Sequence, residues 1–239
     1  MEENIKRLKE TIENSNNIVF FGGAGVSTES GVPDFRSVDG LYNQKYKYPP
    51  ETILSHTFFR TKTREFFEFY RDKMLFPDVK PNKAHYALAK LEKEGKLKAI
   101  ITQNIDGLHQ KAGSKNVLEL HGSVYRNYCE ICKKEYDLNF ILESEGIPHC
   151  TCGGIIKPDV ILYEEALDMN ILNKSAEYIM SADTLIVGGT SLVVYPAAGL
   201  INYFKGKNLV LINKSQTDYD NLATLVINEA IGETLAKIK

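Results

Sequence analysis

Four cysteines fall within 24 residues of a 239-residue chain, at Cys129, Cys132, Cys150 and Cys152. They read C-x2-C, then 17 residues, then C-x-C. Four thiolates so placed satisfy a closed tetrahedral zinc site, whose work is structural. A redox disulfide is the competing reading of paired cysteines, and His149, beside Cys150, is a further candidate ligand. A second group is the turn Gly22-Gly23-Ala24-Gly25-Val26-Ser27-Thr28, entered directly from apolar Ile18-Val19-Phe20-Phe21. Glycines let a backbone turn sharply and approach a pyrophosphate closely. N–H groups at a following helix start would meet the negative charge. Thr28 stands where the dinucleotide fingerprint has its third glycine, and no acidic residue follows at the usual distance to close a second strand. An ordinary dehydrogenase is therefore disfavoured, and a plain tight turn stays open. The third group is Gln103, Asn104 and Asp106, directly after the apolar run Leu97–Thr102. Amide and acid side chains there suit a polyol and a carboxamide, or else an Asx turn capping the next helix. Of the five histidines, His85 sits in a helical pattern and is expected to pack. His121 instead follows the run Val117–Leu120 and precedes Gly122. Its near-neutral pKa suits a general base.

The elements that must hold these groups are short. Ile18–Phe21, Leu97–Thr102, Val117–Leu120, Thr184–Val187, Asn208–Ile212 and Thr224–Ile227 are apolar runs without alternation, as in strands covered on both faces. Helical stripes lie between them, at Ile5, Leu8 and Ile12, and at Ala84, Leu88 and Leu91, where Pro81-Asn82 starts the helix and Gly95 stops it. Residues 170–180 and 229–238 also read as helix. The alternation predicts a doubly wound, Rossmann-like α/β parallel sheet. Residues 1–35, 81–122 and 161–239 would form it. Residues 36–80, helical around Arg64–Met74, and 123–160, with the cysteines, break the rhythm. They are expected to build a smaller domain from two insertions, one a helical module and one a zinc module. That insertion holds too little apolar material to fold unaided, so metal would contribute its folding energy.

Composition fits an ordinary globular protein, with 43% hydrophobic and 25% charged residues. A formal net charge of −2 lacks the basic excess of a dedicated nucleic-acid binder, and no direct nucleic-acid binding is expected. No apolar run approaches the roughly 20 residues of a membrane helix. Met1–Asn14 carries four Glu and has neither the basic start nor the apolar stretch of a signal peptide. The expected compartment is the cytosol.

One longer string is far more distinctive. Gly25-Val26-Ser27-Thr28-Glu29-Ser30-Gly31-Val32-Pro33-Asp34-Phe35-Arg36 closely resembles the first signature of the sirtuins, the NAD-dependent protein-lysine deacylases. Thr102-Gln103-Asn104-Ile105-Asp106-Gly107-Leu108-His109, Glu119-Leu120-His121-Gly122 and Gly188-Gly189-Thr190-Ser191-Leu192 match in the same order, with the cysteine module between the last two. The resemblance runs from about Ile18 to Ala230.

The resemblance implies NAD in a cleft between the two domains and acetyl-lysine entering from the opposite side. Gly23, Ala24, Gly25 and Ser27 would line the diphosphate and the nicotinamide ribose. Phe35 would cover that ribose and shield the reacting carbon, and Arg36 would order the loop. Their plain alternatives are a core aromatic and a surface cation. Gln103 would hold ribose hydroxyls, Asn104 would position ribose and water, and Asp106 with Ile105 would hold the carboxamide. Gly189, Thr190, Ser191 and Asn213 would reach the adenosine half, with Lys214, Ala230 and Ile231 near adenine. His121 matches the catalytic base. A peptide strand would add between Ile161–Tyr163 and Val193–Tyr195, a mode that relies on backbone hydrogen bonds. Two departures stand out: C-x-C replaces the family's second C-x2-C, and Tyr163-Glu164-Glu165 replaces Phe-Gly-Glu.

The implied reaction consumes NAD. The acyl oxygen attacks C1′ of the nicotinamide ribose, nicotinamide leaves, and His121 then activates a ribose hydroxyl. Water finally gives free lysine and O-acetyl-ADP-ribose. The rival readings are an NAD glycohydrolase or mono-ADP-ribosyltransferase on the same scaffold, and a non-catalytic NAD sensor. Succinyl-preferring sirtuins carry a Tyr-x-x-Arg pair that the matching stretch, Phe66-Phe67-Glu68-Phe69-Tyr70, does not supply.

Overall fold

The computed structural model describes residues 2–35, 40–41 and 46–238. Arg36 lies outside the described residues. The strands are β1 (Ile18–Gly22), β2 (Leu97–Thr102), β3 (Val117–Glu119), β4 (Gly122–Cys129), β5 (Glu135–Tyr136), β6 (Ile156–Val160), β7 (Thr184–Gly188), β8 (Asn208–Ile212) and β9 (Leu225–Ile227). The helices are α1 (Glu2–Glu13), α2 (Pro50–Ile53), α3 (His56–Thr61), α4 (Thr63–Lys73), α5 (Lys83–Lys93), α6 (Leu108–Lys111), α7 (Leu138–Glu143), α8 (Met169–Ser181) and α9 (Ile231–Leu235).

All six predicted apolar runs join one sheet, in the order β3-β2-β1-β7-β8-β9. Every pairing in it is parallel. This is the doubly wound order, and it reverses between β1 and β7. Ligands of such sheets bind beyond the carboxyl ends of the strands at that reversal. Alternate residues of β1 serve opposite faces. Ile18 and Phe20 pack with Leu8 and Ile12 of α1, Leu88 of α5 and Leu235 of α9. Val19 and Phe21 pack with Ile179 of α8 and with Leu200 and Ile201. Both faces are covered, so the strand carries no polar residue.

Asn82 caps α5. Its Oδ1 accepts from the Ala84 N–H at 2.9 Å, and its own N–H donates to His85 Nδ1 at 3.2 Å. Gly95 ends the helix at φ +75°, a conformation that favours glycine. The expected helix over 229–238 shortens to Ile231–Leu235, because Ala230 is extended.

The two insertions share one core. Phe58, Phe59, Phe66, Phe67 and Tyr70 pack against Val124, Ile141, Ile156 and Leu162. Phe66 meets Phe59 edge-on at 5.1 Å and stacks on Tyr70 at 5.6 Å. Such pairs add about 0.5–1.5 kcal/mol each beyond simple burial. A second sheet, β5-β4-β6, is antiparallel and carries the cysteines at its end. The chain passes between this core and the parallel sheet near Phe35, Pro81, His121–Gly122 and Val160–Leu162. Among the described residues no helix is long and apolar enough to cross a membrane.

His85 is wholly buried, as its helical position predicts, and its ring centroid lies 4.8 Å from that of buried His109. Neither ring nitrogen of His109 has a partner among the described residues. Burial lowers the pKa of His85 to about 4 and that of His109 to about 3. Unfolded, both would bind protons from about pH 6.5 downward. The unfolded state therefore binds more protons than the folded one as pH falls, and stability is lost on acidification. The melting temperature is expected to fall between pH 6.5 and 4. His109→Phe should flatten that slope in thermal melts at stepped pH.

Candidate active site

The loops after β1 and β7 meet backbone to backbone. Gly25 N–H donates to Gly189 O at 2.8 Å. A Cβ on Gly25 would lie 2.8 Å from Gly189 Cα, and a Cβ on Gly189, at φ +58°, would lie 2.3 Å from Val26 N. A Cβ on Gly23 would press on Thr190 at 2.9 Å. These glycines serve the close approach of two loops at the sheet's reversal. Residues 24–26 and 28–30 follow as 3-10 turns.

Polar side chains converge on the same place. Asn104 Nδ2 donates to Ser27 Oγ at 3.0 Å, and Ser27 Oγ donates to Asp106 Oδ2 at 2.6 Å. Asp106 Oδ1 accepts from Leu108 N–H at 2.9 Å. Burial pushes the Asp106 carboxyl above its ordinary pKa, and the Ser27 and Leu108 donors oppose the shift. The Asx turn weighed from sequence is thus real, and the same carboxylate also holds Ser27.

Gln103 Nε2 donates to Thr190 Oγ1 at 3.0 Å, which ties the β2 end to the β7 end. Thr190 N–H donates to Asn213 Oδ1 at 2.9 Å. Asn213 Nδ2 is buried with no partner among the described residues. A donor left over in this way can serve a ligand hydroxyl. Ser191 and Lys214 are exposed, and Ala230 is half-buried. Ile231 is a core residue, packed over Gly188. Phe35 is half-buried and packs against the smaller core.

His121 Nδ1 lies 3.0 Å from the Gln103 carbonyl. A carbonyl can only accept, so Nδ1 carries the hydrogen and Nε2 keeps its lone pair. Burial lowers the His121 pKa, and the bond to Gln103 opposes that. His121 O accepts from Ile161 N–H at 3.0 Å, and a Cβ on the next residue, Gly122, would strike Asp159 O. The ring is therefore held through Nδ1, and the backbone that carries it is held by Ile161 and Asp159.

Tyr163, Val193 and Tyr195 are exposed apolar side chains, and Ile161 is half-buried. The N–H groups of Ile161, Leu162 and Tyr163 are bonded to His121 O, Glu165 Oε2 and Leu54 O. Glu164 takes φ +75°, where glycine is comfortable. Its carboxylate accepts from Thr57 N–H at 2.8 Å, at the start of α3. Glu165 bridges His56 at 2.8 Å and Lys157 at 3.0 Å. The extra acid thus caps a helix.

The four cysteine sulfurs lie within 4.8 Å of one another. Cys129 Sγ is 3.4 Å from Cys152 Sγ, and Cys132 Sγ is 3.5 Å from Cys150 Sγ. All four are free thiols, and a sulfur–sulfur bond would need about 2.05 Å. Four sulfurs at this spacing fit one tetrahedral zinc ion. A Cβ on Gly154 would lie 2.6 Å from Cys129 Sγ, so glycine there leaves the sulfur its place. His149 turns its Nδ1 toward Gly153 O and stays out of the cluster. Tyr136 OH donates to Cys150 Sγ at 3.0 Å. Sequence reading missed that contact, since nothing in the spacing marks a tyrosine four residues past Cys132.

The model of the Sir2 family matches residues 23–196. The chain is 66% identical to the NAD-dependent protein deacetylase of Clostridium perfringens, over 100% of this chain and 99% of that one. The NAD-dependent protein deacetylase of Cutibacterium acnes is 50% identical over 98% and 97% of the two chains. A solved Sir2 structure with deacetylated p53 peptide and 3′-O-acetyl-ADP-ribose has a TM-score of 0.91 at 40% identity. It covers 98% of this chain and 96% of that one. A Sir2–p53 peptide–NAD+ structure has a TM-score of 0.87 at 40% identity, over the same shares.

One zinc ion per chain is expected by elemental analysis of protein purified without chelator. Cys129→Ala should lose the metal and unfold the β4–β6 sheet, because metal binding supplies its folding energy. A metal-free protein with an unchanged melting temperature would refute the assignment.

Proposed function

The chain belongs to the Sir2 family, and we propose that its cleft removes acetyl groups from protein lysines with NAD as co-substrate. Nicotinamide, O-acetyl-ADP-ribose and free lysine are the products. The observation that carries the reading is the hydrogen-bond chain Asn104–Ser27–Asp106 beside a histidine of fixed tautomer, His121. The NAD co-substrate supplies the acceptor to which the acetyl group is passed.

The residues divide the work. Gly23, Ala24 and Gly25 bring backbone close to the diphosphate, where side chains would block it. Ser27, Asn104 and Asp106 form one rigid polar wall for the nicotinamide ribose and, with Ile105, for the carboxamide. Asn213 Nδ2, buried and unspent, suits a ribose hydroxyl on the adenosine side. Thr190 and Gly189 stand next to it, and Lys214, Ala230 and Ile231 lie towards adenine. Phe35 covers the reacting carbon and keeps water out. His121 Nε2 takes the proton of a ribose hydroxyl after nicotinamide has gone. A peptide laid along Ile161–Tyr163 meets N–H groups already bonded within the chain, and Leu162 O and Tyr163 O already accept from Glu165 N–H and His56 N–H, which leaves the Ile161 carbonyl to receive a peptide N–H. Val193 and Tyr195 form the facing edge. The structural zinc ion holds the module that carries β4 and lies outside the chemistry. A cytosolic home suits four free thiols.

His121→Ala is expected to cut net deacetylation by about 10²–10⁴, the usual cost of losing a general base. Exchange of labelled nicotinamide into NAD needs only the first step, so it should survive better. Asn104→Ala should damage both. The base must be neutral to accept a proton, and burial lowers its pKa, so the acid limb of kcat/KM should fall below pH 6.5. Near-normal deacetylation by His121→Ala would refute the assignment. Nicotinamide release from NAD without acetyl-lysine would favour the glycohydrolase instead.

Acyl choice follows from the aromatic wall of α4. Phe66, Phe67 and Tyr70 are fully buried; the Arg71 guanidinium lies over the Phe67 ring at 5.3 Å, but it is spent on Ile141 O and Ser144 Oγ. A succinyl carboxylate placed there is left unpaired, which is costly. Acetyl-lysine should show the higher kcat/KM when both are measured on one peptide, and the reverse order would overturn this choice.

A further inference from the structure

β4 and β6 pair regularly at Gly122–Val160 and Ser123–Asp159, then resume at Asn127–Pro158. Residues 124–126 therefore bulge out of the ladder. All three residues of the bulge make a fixed contact elsewhere. Val124 N–H donates to Ile105 O at 3.1 Å. Tyr125 lays its ring against Gly107, at φ +65°, where a Cβ would lie 2.8 Å from the ring. Arg126 Nε donates to Asp159 Oδ2, and its Nη1 to Glu119 Oε2, both at 2.7 Å. Glu119 Oε1 in turn accepts from Gln110 Nε2 at 2.8 Å.

These contacts join two segments that the reaction needs at a set spacing. Residues 103–110 carry Asn104 and Asp106. Residues 119–122 carry His121. Gln110 reaches from the first segment to Glu119 in the second, and Arg126 fastens Glu119 to Asp159. Glu119 is only 9% exposed, on the last position of a strand, and a carboxylate there needs a partner. Partly exposed ion pairs add little to stability, so stability alone is a weak reason for this one. The guanidinium fork, by contrast, grips two acids in one fixed plane.

We propose that Arg126, by clamping Glu119 and Asp159, is a positioning residue that fixes His121 relative to the Asn104–Asp106 loop. Arg126 does not touch the reacting atoms. It acts on the second step more than on the first, because Ser27 and Leu108 hold Asp106 independently of it. The inference rests on the deacetylase reading, and its test separates the two.

Arg126→Met is expected to lower kcat for deacetylation about tenfold, less than the roughly 10²-fold that a 1 Å misplacement can cost. The KM for NAD and the rate of nicotinamide exchange should stay within about threefold, whereas a general loss of folded enzyme would lower exchange in proportion to deacetylation. Asp159→Asn removes one acid and leaves Arg126 on Glu119, so it should give a smaller change in the same direction. Hydrogen exchange at the Val124 amide should quicken in Arg126→Met, a readout independent of activity. Deacetylation within twofold of the parent, or a parallel fall of both reactions with the folded fraction, overturns the clamp. If the parent itself does not deacetylate, the functional reading fails. The clamp then stands or falls on Val124 exchange, and unchanged exchange overturns it.

Discussion

The contact of Gly25 with Gly189 sets the terms for the rest of the molecule. Two loops that leave neighbouring parallel strands touch through backbone alone, and a single methyl group on either would push them apart. From that contact follow the placement of Ser27, two residues on in one loop, and of Thr190, next in the other. Gln103 reaches Thr190 only because the loops are this close. The doubly wound order puts the contact at the reversal between β1 and β7, where the sheet itself leaves a crevice.

Burial shapes the acid–base character of that crevice. It moves Asp106 up and His121 down, so both groups lean toward their neutral forms. A neutral histidine with Nδ1 occupied is the form that can accept a proton. A carboxyl raised by burial and opposed by the Ser27 and Leu108 donors is suited to a ligand that offers amide hydrogens. His109, three residues past Asp106, has neither property. It is 1% exposed, turned onto His85 and Phe20, and belongs to the core.

Much of this was legible in the sequence. Strands buried on both faces are largely apolar along their length, so all six runs of the parallel sheet could be read directly. The four ordered motifs lie beside strand ends in the chain, and the structure brings Ser27, Gln103, Asn104, Asp106 and Thr190 of them together. The second sheet was not legible. β4 reads Gly-Ser-Val-Tyr-Arg-Asn-Tyr-Cys, without alternation or a long apolar run, and its order draws on the sulfur cluster and on β6. Arg126, Glu119, Asp159 and Gln110 come from four separate segments, and no local pattern announces their meeting. Glu164 was visible as a departure, but its role as a cap for Thr57 depends on a positive φ that only coordinates reveal.

The chain runs between the parallel sheet and the smaller core at Phe35, Pro81, His121–Gly122 and Val160–Leu162. Three of these four crossings are also candidate site positions. Mechanically, any rotation between the two cores would turn about these crossings and so about the candidate site residues they carry. Points on a pivot move least, and points far from it sweep the largest arcs. A chain joined in this way would let its outer surfaces shift while the candidate site residues at the joins kept their spacing. A lever arranged the other way, with its joint at the rim, would scatter those distances each time it moved.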